Sequence, residues 1–500
     1  VPTVLITCSG LGSRLLPITG YLNKSLIKIG DKAILSLILE SYPLDSRFII
    51  TLGYLKDQIV DYIAINHSNL NIEYVDVDCY DGPNSSLLYS MSKALDIINE
   101  PFYYNACDTL IKDIGLYSSN TSIISKTFID NQYRRISKNN IEDFPAEVGE
   151  LCYTGVSYIH DYNKFKDIAK SLLENPNTSL SDAHVLQKMD MKFQITDQWI
   201  DIGNFIALDH AKAQFKNNIC VLEKSDSETY FVNRKIIKYF KDFEKVQKLY
   251  ERNLELHDCT PHCKILGNFL YYDFIDGNVF SEILNEDNLI DFLNWCNNNL
   301  WISYNQSEDN FFDEFYVKKA KNRVKLYIEK NKKRNFREIN FRKVLDIEFL
   351  LDNIPEALKK STELCRAHGD LVFENVIKTS DGFTLIDWRD GFITSSGDKL
   401  YDIAKMKHNL IFDHSIIKEK KFYVKYENDQ CFYDSGMPEC NQHLIDVLDS
   451  WCVLNQIDVK AINLIVALIQ LSSAGLHTGD DSHLLFHMGH YNLQKIYVSS

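Results

Sequence analysis

The chain has 500 residues, of which 45% are hydrophobic and 25% charged, and its formal net charge is −15. That length exceeds what one hydrophobic core organises, so two or three domains are expected, and a content of only 20 Gly and 10 Pro excludes a chain dominated by disordered or fibrous segments. The acidic balance argues against a nucleic-acid partner, which would need a local basic patch, and leaves small anionic ligands admissible at focused sites.

In chain order, the first 215 residues alternate short β-rich runs with helical patterns: "VLIT", "ILSLILESY", "FIITLG", "KDQIVDYIAI", "IEYVDV", "SSLLYSMSKALDII" and "FYYNACD". This is the pattern of βαβ units around a mostly parallel sheet, closed by a helix over "FIALDHAKAQFKNN". The texture then changes. "NICVLEKSDSETYFVNRKIIKYF" predicts antiparallel strands joined by a polar turn, followed by a helix over "FEKVQKLYERNLEL". A boundary is therefore expected at 217/218, with the first domain covering 1–217 and the second 218–500. After "FLYYDFIDGNVFSEIL" the chain turns largely helical, interrupted by "HGDLVFENVI" and "FTLIDWRDGF". The most apolar run, "AINLIVALIQL", is too short to span a bilayer and reads as a buried helix, so no membrane insertion is expected.

The N-terminal "VPTVLITCSG" has neither the basic region nor the cleavage site of a secretory signal. The missing initiator Met points to processing or a chosen boundary. Twelve cysteines without a CxxC pair fit reduced thiols, hence a cytoplasmic setting.

Directly after the first strand, "SGLGSRLLP" places Gly10, Gly12, Ser13 and Arg14 where a turn would offer backbone N–H groups to an anion. It is not a dinucleotide loop, since Leu15 stands where a third glycine belongs, and it lacks the Gly-Lys-Ser/Thr of a Walker loop. Lys24 follows within "NKSLIKIGDKAIL". Taken alone, the two glycines and Arg14 also suit a tight βα turn without function.

With Lys24 the stretch resembles the nucleotidyltransferases that make activated sugars and alcohols, whose signature is a GxGxR loop followed by a lysine. "YYNACDTLI", giving Asp108, and "QWIDIGN", giving Asp201, continue that resemblance in the same order. The chain departs from the family at Asn23, Ser25 and Ala33, where proline is usual. The resemblance implies a Rossmann-like domain in which Arg14 and Lys24 serve the phosphates of a nucleoside triphosphate and Asp108 and Asp201 hold Mg²⁺. "YDGPNSSLLYSM" stands where the family contacts the base, and its Asn84, Ser85 and Ser86 resemble the cytidylyltransferases that act on phosphocholine-like acceptors, which implies CTP ahead of another NTP. The same segment could instead supply a helix N-cap through Asn84 or Ser85.

In the second domain, "HGDLVFEN" sets Asp370 five residues before Asn375, and "FTLIDWRD" ends an apolar strand on Asp387. A proton-accepting Asp with an Asn and an Asp for Mg²⁺ suits phosphoryl transfer, although Asp and Asn in a turn also bond their own backbone. The pattern resembles the aminoglycoside and choline kinase-like phosphotransferases, with His368 opening the loop. That resemblance implies a bilobal α+β fold, with an N-lobe over about 218–275 and a C-lobe over 276–500. It implies Lys238 as the strand lysine, with Lys235 as a rival, and Glu251 or Glu255 as its ion-pair partner. The glycine-poor "EKSDSETYF" implies a looser hold on ATP, or use of GTP.

Arg389, where choline kinases carry an acid, disfavours a quaternary ammonium and suits a hydroxylated or anionic acceptor, so a polyol or sugar is expected ahead of choline. "GDKLYDIAKMKHNL" and "FYVKKAKNRVKLYIEK" resemble stretches of kinase-like domains attached to capsule-type biosynthetic enzymes.

Together these expectations describe a bifunctional enzyme. One domain phosphorylates a small alcohol with ATP, and the other joins the alcohol phosphate to CTP, giving an activated precursor for surface polysaccharide or lipid. The rivals are a kinase-like domain with an unrelated substrate and a catalytically silent module. A second copy of the chain is also an admissible partner. "HDCTPHC" lacks the spacing of a zinc finger, the histidines at 477, 483, 487 and 490 read as helix-face or core residues, and the basic run over 318–343 reads as an amphipathic helix using Val324, Tyr327 and Ile328.

Overall fold

The computed structural model describes every residue except 139, 216–226, 304–309, 332–335, 360–361, 394–395, 413 and 500. It contains two compact units: Val1–Val246 with Lys264–Phe274, and Gln247–Cys263 with Ile275–Ser500.

The first unit is built on a nine-stranded sheet. Four strands at one end of it run parallel, in the order Asn71–Asp76, Arg47–Leu52, Thr3–Thr7, Phe102–Ala106, with Asn71–Asp76 at the edge. Because successive side chains point to opposite faces, Val4, Ile6, Phe48 and Ile50 join one buried cluster with Ile34, Ile38, Ile59 and Tyr62. Leu5, Ile49, Phe102 and Tyr104 join another with Leu88, Met91 and Phe165. A sheet buried on both faces explains why these strands read as continuous apolar runs. Antiparallel strands extend it, beginning with Leu151–Ile159 beside Phe102–Ala106.

In strand order 3-2-1-4, the chain reverses its winding between Thr3–Thr7 and Phe102–Ala106. The crevice beyond their carboxyl ends is where open α/β sheets bind ligands. The loop after Thr7 carries Gly10 to Arg14, and the turn after Ala106 carries Asp108.

The compact units do not divide at 217/218. Strands Ser227–Val232, Lys235–Phe240, Phe269–Asp273 and Lys264–Leu266 form the antiparallel sheet expected of the second domain, yet they pack into the first unit. Tyr230, Val232, Ile237, Tyr239 and Phe269 belong to the same buried cluster as helix Lys56–Asn66. The Tyr230 and Tyr62 rings lie 5.3 Å apart, the Tyr230 hydroxyl donates to the Leu26 carbonyl at 2.8 Å, and that of Tyr239 donates to the Tyr21 carbonyl at 2.7 Å. An apolar sheet face must be buried somewhere, and here a domain already present in the chain covers it. The loop "EKSDSETYF" lies partly outside the described residues.

The second unit sets a short antiparallel sheet, Asn278–Val279, Val376–Thr379 and Gly382–Leu385, beside a helical body. Its centre is Val459–Ala474, buried along most of its length as expected from "AINLIVALIQL". It packs on Asp480–Ser499, Lys399–Ile411 and Lys318–Lys330. In the last of these, Val324 and Tyr327 face the core while most of the lysines stay exposed. His483 bonds the Tyr327 hydroxyl at 2.7 Å and His490 the Leu345 carbonyl at 2.7 Å, so these histidines serve packing. Among the described residues no group of three or more His, Cys, Asp or Glu is arranged to hold a metal ion, and no helix is long and apolar enough to cross a membrane.

Candidate active sites

In the first unit, Gly12 takes a left-handed conformation at φ 66°, and a Cβ there would stand 2.9 Å from the Thr19 methyl carbon and 3.2 Å from Lys24 Cβ. Gly10 has open space where a Cβ would be, and Arg14 is exposed, so the loop's rim can be approached. The Thr19 hydroxyl donates to the Gly12 carbonyl at 3.0 Å. Gly12→Ala is expected to destabilise this unit by about 2 kcal/mol, from a left-handed β-carbon and a close contact together. Urea denaturation followed by circular dichroism checks this, and Gly10→Ala serves as the near-neutral control.

Lys24 sits in a short 3₁₀ turn set by Asn23. The Asn23 side-chain amide donates to the carbonyls of Cys8, at 3.2 Å, and Tyr54, at 2.7 Å, while its oxygen accepts from the Ser25 N–H at 3.0 Å and hydroxyl at 2.8 Å. A proline could make none of the side-chain bonds. The departure at Asn23 is therefore an anchoring device that holds Lys24 against the loop, and its importance was not legible from the motif.

Lys24 forms an ion pair with Asp108. Burial favours the neutral form of the Asp108 carboxyl, but the charge and hydrogen bond of Lys24, with Arg14 behind it, outweigh burial and hold its pKa below the ordinary value. For Lys24 burial again opposes the charge, and Asp108 overrides it and raises the pKa.

Asp201 ends strand Trp199–Asp201, which pairs with Thr109–Ile111 just beyond Asp108. A Cβ on Gly203 would stand 3.0 Å from one Asp201 oxygen and 3.5 Å from an Asp108 oxygen, so both carboxylates converge on that glycine. Asp201 accepts the Gly203 N–H at 2.8 Å and the Tyr133 hydroxyl at 2.9 Å. Burial and the neighbouring Asp108 charge still push its pKa up to about 6. Two buried carboxylates that raise each other's cost of ionisation suit a hard divalent cation, which takes oxygen ligands and offsets the repulsion. Tyr133 was not among the expected site residues, and nothing in its flanking sequence marks it.

Along "YDGPNSSLLYSM" the helix cap is Ser86, whose hydroxyl oxygen accepts the Tyr89 N–H at 3.0 Å. Neither Asn84 nor Ser85 fills that role. The Ser85 hydroxyl donates to the Gly82 carbonyl at 2.7 Å, and Asn84 is exposed.

In the second unit, Asp370 and Asn375 share one loop: the Asn375 amide donates to the Asp370 carbonyl at 2.9 Å. The Ile386 N–H donates to the Asn375 carbonyl at 2.9 Å, which brings Asp387 alongside. Asp387 itself adopts φ 59°, a left-handed conformation uncommon for a non-glycine residue and often found at functional sites. His368 is fully buried and kept neutral, its pKa pushed down to about 4 by burial. It bonds the Ile386 carbonyl through Nε2 at 3.0 Å and accepts the Asp370 N–H at Nδ1 at 3.2 Å, tying the loop to the following strand. Lys405 pairs with the Asp370 carboxylate at 2.8 Å.

One buried aspartate, Asp402, supports this loop, and a second, Asp398, caps helix Lys399–Ile411; the motif gave no notice of either. Asp402 accepts the N–H groups of His368 at 2.8 Å and Gly369 at 2.7 Å, and the Trp301 indole N–H at 3.1 Å. Asp398 accepts the Leu400 N–H at 2.9 Å, that of Glu363 at 3.2 Å and the Tyr316 hydroxyl at 2.7 Å. Burial raises Asp398 to about 7 and Asp402 to about 6, against the pull of these bonds. Between pH 4 and 7 the native state therefore binds more protons at Asp398 than the unfolded chain does, and stability falls as pH rises through that window. Asp398→Asn is expected to lessen the decline by about 1 kcal/mol per pH unit, read from urea midpoints across that range.

Of the remaining expected residues, the Lys238 ammonium stands 5.8 Å from the Tyr272 ring centroid, within the first unit. Its rival Lys235 is engaged with the Ile65 carbonyl at 2.8 Å. Glu251 and Glu255 fall in the second unit. Glu255 pairs with Arg252, whose guanidinium also donates to the Ala367 carbonyl just before the loop that carries Asp370, and Glu251 is exposed.

No family model and no curated protein matches the chain. Solved structures align with part of it. The CTP:phosphocholine cytidylyltransferase LicC of Streptococcus pneumoniae is 17% identical over 43% of this chain and 99% of that one, with a TM-score of 0.37. The inositol-1-phosphate CTP transferase of T. maritima is 16% identical over 44% of this chain and 98% of its own, with a TM-score of 0.35. HddC of Yersinia pseudotuberculosis is 19% identical over 43% and 99%, with a TM-score of 0.34.

Proposed function

We propose that the chain is a bifunctional enzyme, in which the second unit phosphorylates a small alcohol with ATP and the first couples the resulting phosphate to a nucleotide, CTP by preference. The observation that carries this reading is the convergence of Lys24, Asp108 and Asp201 behind the Gly12 loop, in the crevice where the parallel sheet reverses its winding.

Attack of a phosphomonoester oxygen on the α-phosphorus forms one P–O bond and breaks the bond to the β-phosphate, releasing pyrophosphate. Two anions must approach each other, so positive charge and alignment matter more than a proton acceptor. Arg14, exposed at the loop, is suited to the departing phosphates. Lys24, kept charged by its buried partner, is suited to the α-phosphate and the incoming oxygen. In the second unit Asp370 would take the proton of the acceptor hydroxyl as the γ-phosphoryl group of ATP transfers to its oxygen. Mg²⁺, held by Asp108 and Asp201 in one unit and by Asn375 and Asp387 in the other, would neutralise phosphate charge when bound. Asn84, Ser85 and Ser86 are the residues we assign to the base, and the product would be a CDP-activated precursor for a surface polysaccharide or lipid.

The test supplies CTP, ATP and a panel of alcohols and their phosphates. Pyrophosphate release with a phosphorylated acceptor supports the reading. Consumption of ATP with no pyrophosphate from any phosphorylated acceptor sinks the coupling.

A further inference from the structure

The surroundings of Asp370 are more basic than transfer to a neutral alcohol requires. Lys405 pairs with its carboxylate at 2.8 Å. Arg389 is fixed close by. Its backbone N–H donates to the His368 carbonyl at 3.1 Å. A Cβ on Gly369, which has φ 84°, would stand 2.7 Å from Arg389 Cβ, so only glycine admits the arginine so near the catalytic loop.

Lys319 approaches from another element, helix Lys318–Lys330. Its ammonium lies 5.3 Å from the centroid of the Phe315 ring, and the Arg389 guanidinium lies 5.2 Å from the same ring. Arg323 stands one helical turn beyond Lys319, an i, i+4 arrangement in which like charges repel. Phe315, Phe392 and Tyr401 pack together around these cations, with centroids 5.3 Å apart for Phe315 and Phe392 and 5.2 Å for Phe315 and Tyr401. The turn Asp313–Val317, which carries Phe315, is wound as a π-helix, a rare conformation that recurs at functional sites.

Such crowding of cations is unfavourable without an anion. Lys319 records the cost: burial first, then Arg389, Lys405 and Arg323, bring its pKa down to about 7, while Asp370 pulls the other way. All four cations are half-buried, so solvent compensates them only in part.

We infer that Lys319, Arg323, Arg389 and Lys405 form a binding site beside Asp370 for the anionic group, carboxylate or phosphate, of a hydroxylated acceptor. The inference rests on the kinase-type reading of the second unit and narrows its acceptor from alcohols in general to alcohols that already carry negative charge. The guanidinium groups of Arg323 and Arg389 match the planar oxygens of either anion.

Calorimetric titration of the full chain with glycerate, glycerol phosphate and glycerol, without ATP, tests this and separates the two anion sources. We expect at least one anion to bind, glycerol not to bind, and Lys319→Met and Arg323→Gln each to weaken that anion about tenfold or more. Arg323→Gln keeps the test open if Lys319→Met does not fold. In turnover with the anionic alcohol, both variants should raise KM more than they lower kcat. Equal binding of glycerol and the anions, or anion binding unchanged in both variants, overturns the inference. Anion binding lost in the variants, with no phosphorylation of any alcohol, upholds the site and overturns the kinase reading. Phosphorylation of neutral alcohols alone, with no anion bound, upholds the kinase reading and overturns the site.

Discussion

Lys24→Met is expected to lower kcat/KM for pyrophosphate release about a thousandfold and to leave ATP-dependent phosphorylation of the acceptor intact. Removing one preorganised group aimed at developing phosphate charge costs about 10²–10³ in rate, and Lys24 also steadies the carboxylate it meets. Without it the buried Asp108 and Asp201 carboxylates face each other and lose the cation that favours ionisation of both, leaving Arg14 to act on Asp108. A buried charge that loses its partner costs about 3–5 kcal/mol, so thermal unfolding of the variant must accompany the kinetic assay. Lys24→Arg separates the effects: it retains the charge and much of the stability, but its planar guanidinium does not reproduce the compact point charge that the ammonium sets beside Asp108, and turnover should remain low. Normal pyrophosphate release by a folded Lys24→Met variant would contradict the assignment.

Asp370→Asn is expected to lower acceptor-dependent ADP formation about a thousandfold, within the range for loss of a general base. Nucleotidyl transfer from CTP to an acceptor supplied already phosphorylated should be unchanged. The substitution is nearly isosteric and leaves in place the bonds by which Asn375 holds the Asp370 carbonyl and Asp402 holds the N–H groups of His368 and Gly369. A change in activity would therefore report the carboxylate itself. Unchanged ATP turnover in this variant would instead favour a catalytically silent module.

The sequence displayed most plainly those features that local chemistry imposes. Apolar runs buried on both faces of the parallel sheet, the buried helix Val459–Ala474 and the pair Asp370 and Asn375 all announce themselves within a few residues. The supports of the sites were not legible, because each acts across a long stretch of chain. Tyr133 reaches Asp201 from 68 positions away, and Asp402 holds a loop more than 30 residues earlier. Asn23 was visible only as a missing proline, and its bonds to Cys8 and Tyr54 depend on how strand and loop fold together. The division into compact units was hidden for the same reason. Strand patterns over 227–240 are evident, but which core their apolar face enters depends on Tyr62, far earlier in the chain. The acidic net charge likewise concealed the local cluster of cations around Asp370, since composition averages over the surface on which such clusters stand out.

The most direct test of the central claim follows one phosphate through both reactions. The full chain is incubated with ATP labelled at its γ-phosphate, unlabelled CTP and an alcohol that it phosphorylates. The account predicts that the label leaves ATP, enters the alcohol phosphate and then resides in the nucleotide-linked product as the phosphate next to the alcohol, while the pyrophosphate released from CTP stays unlabelled. Label that accumulates in the alcohol phosphate and never reaches a nucleotide-linked product, with CTP left intact, would contradict it.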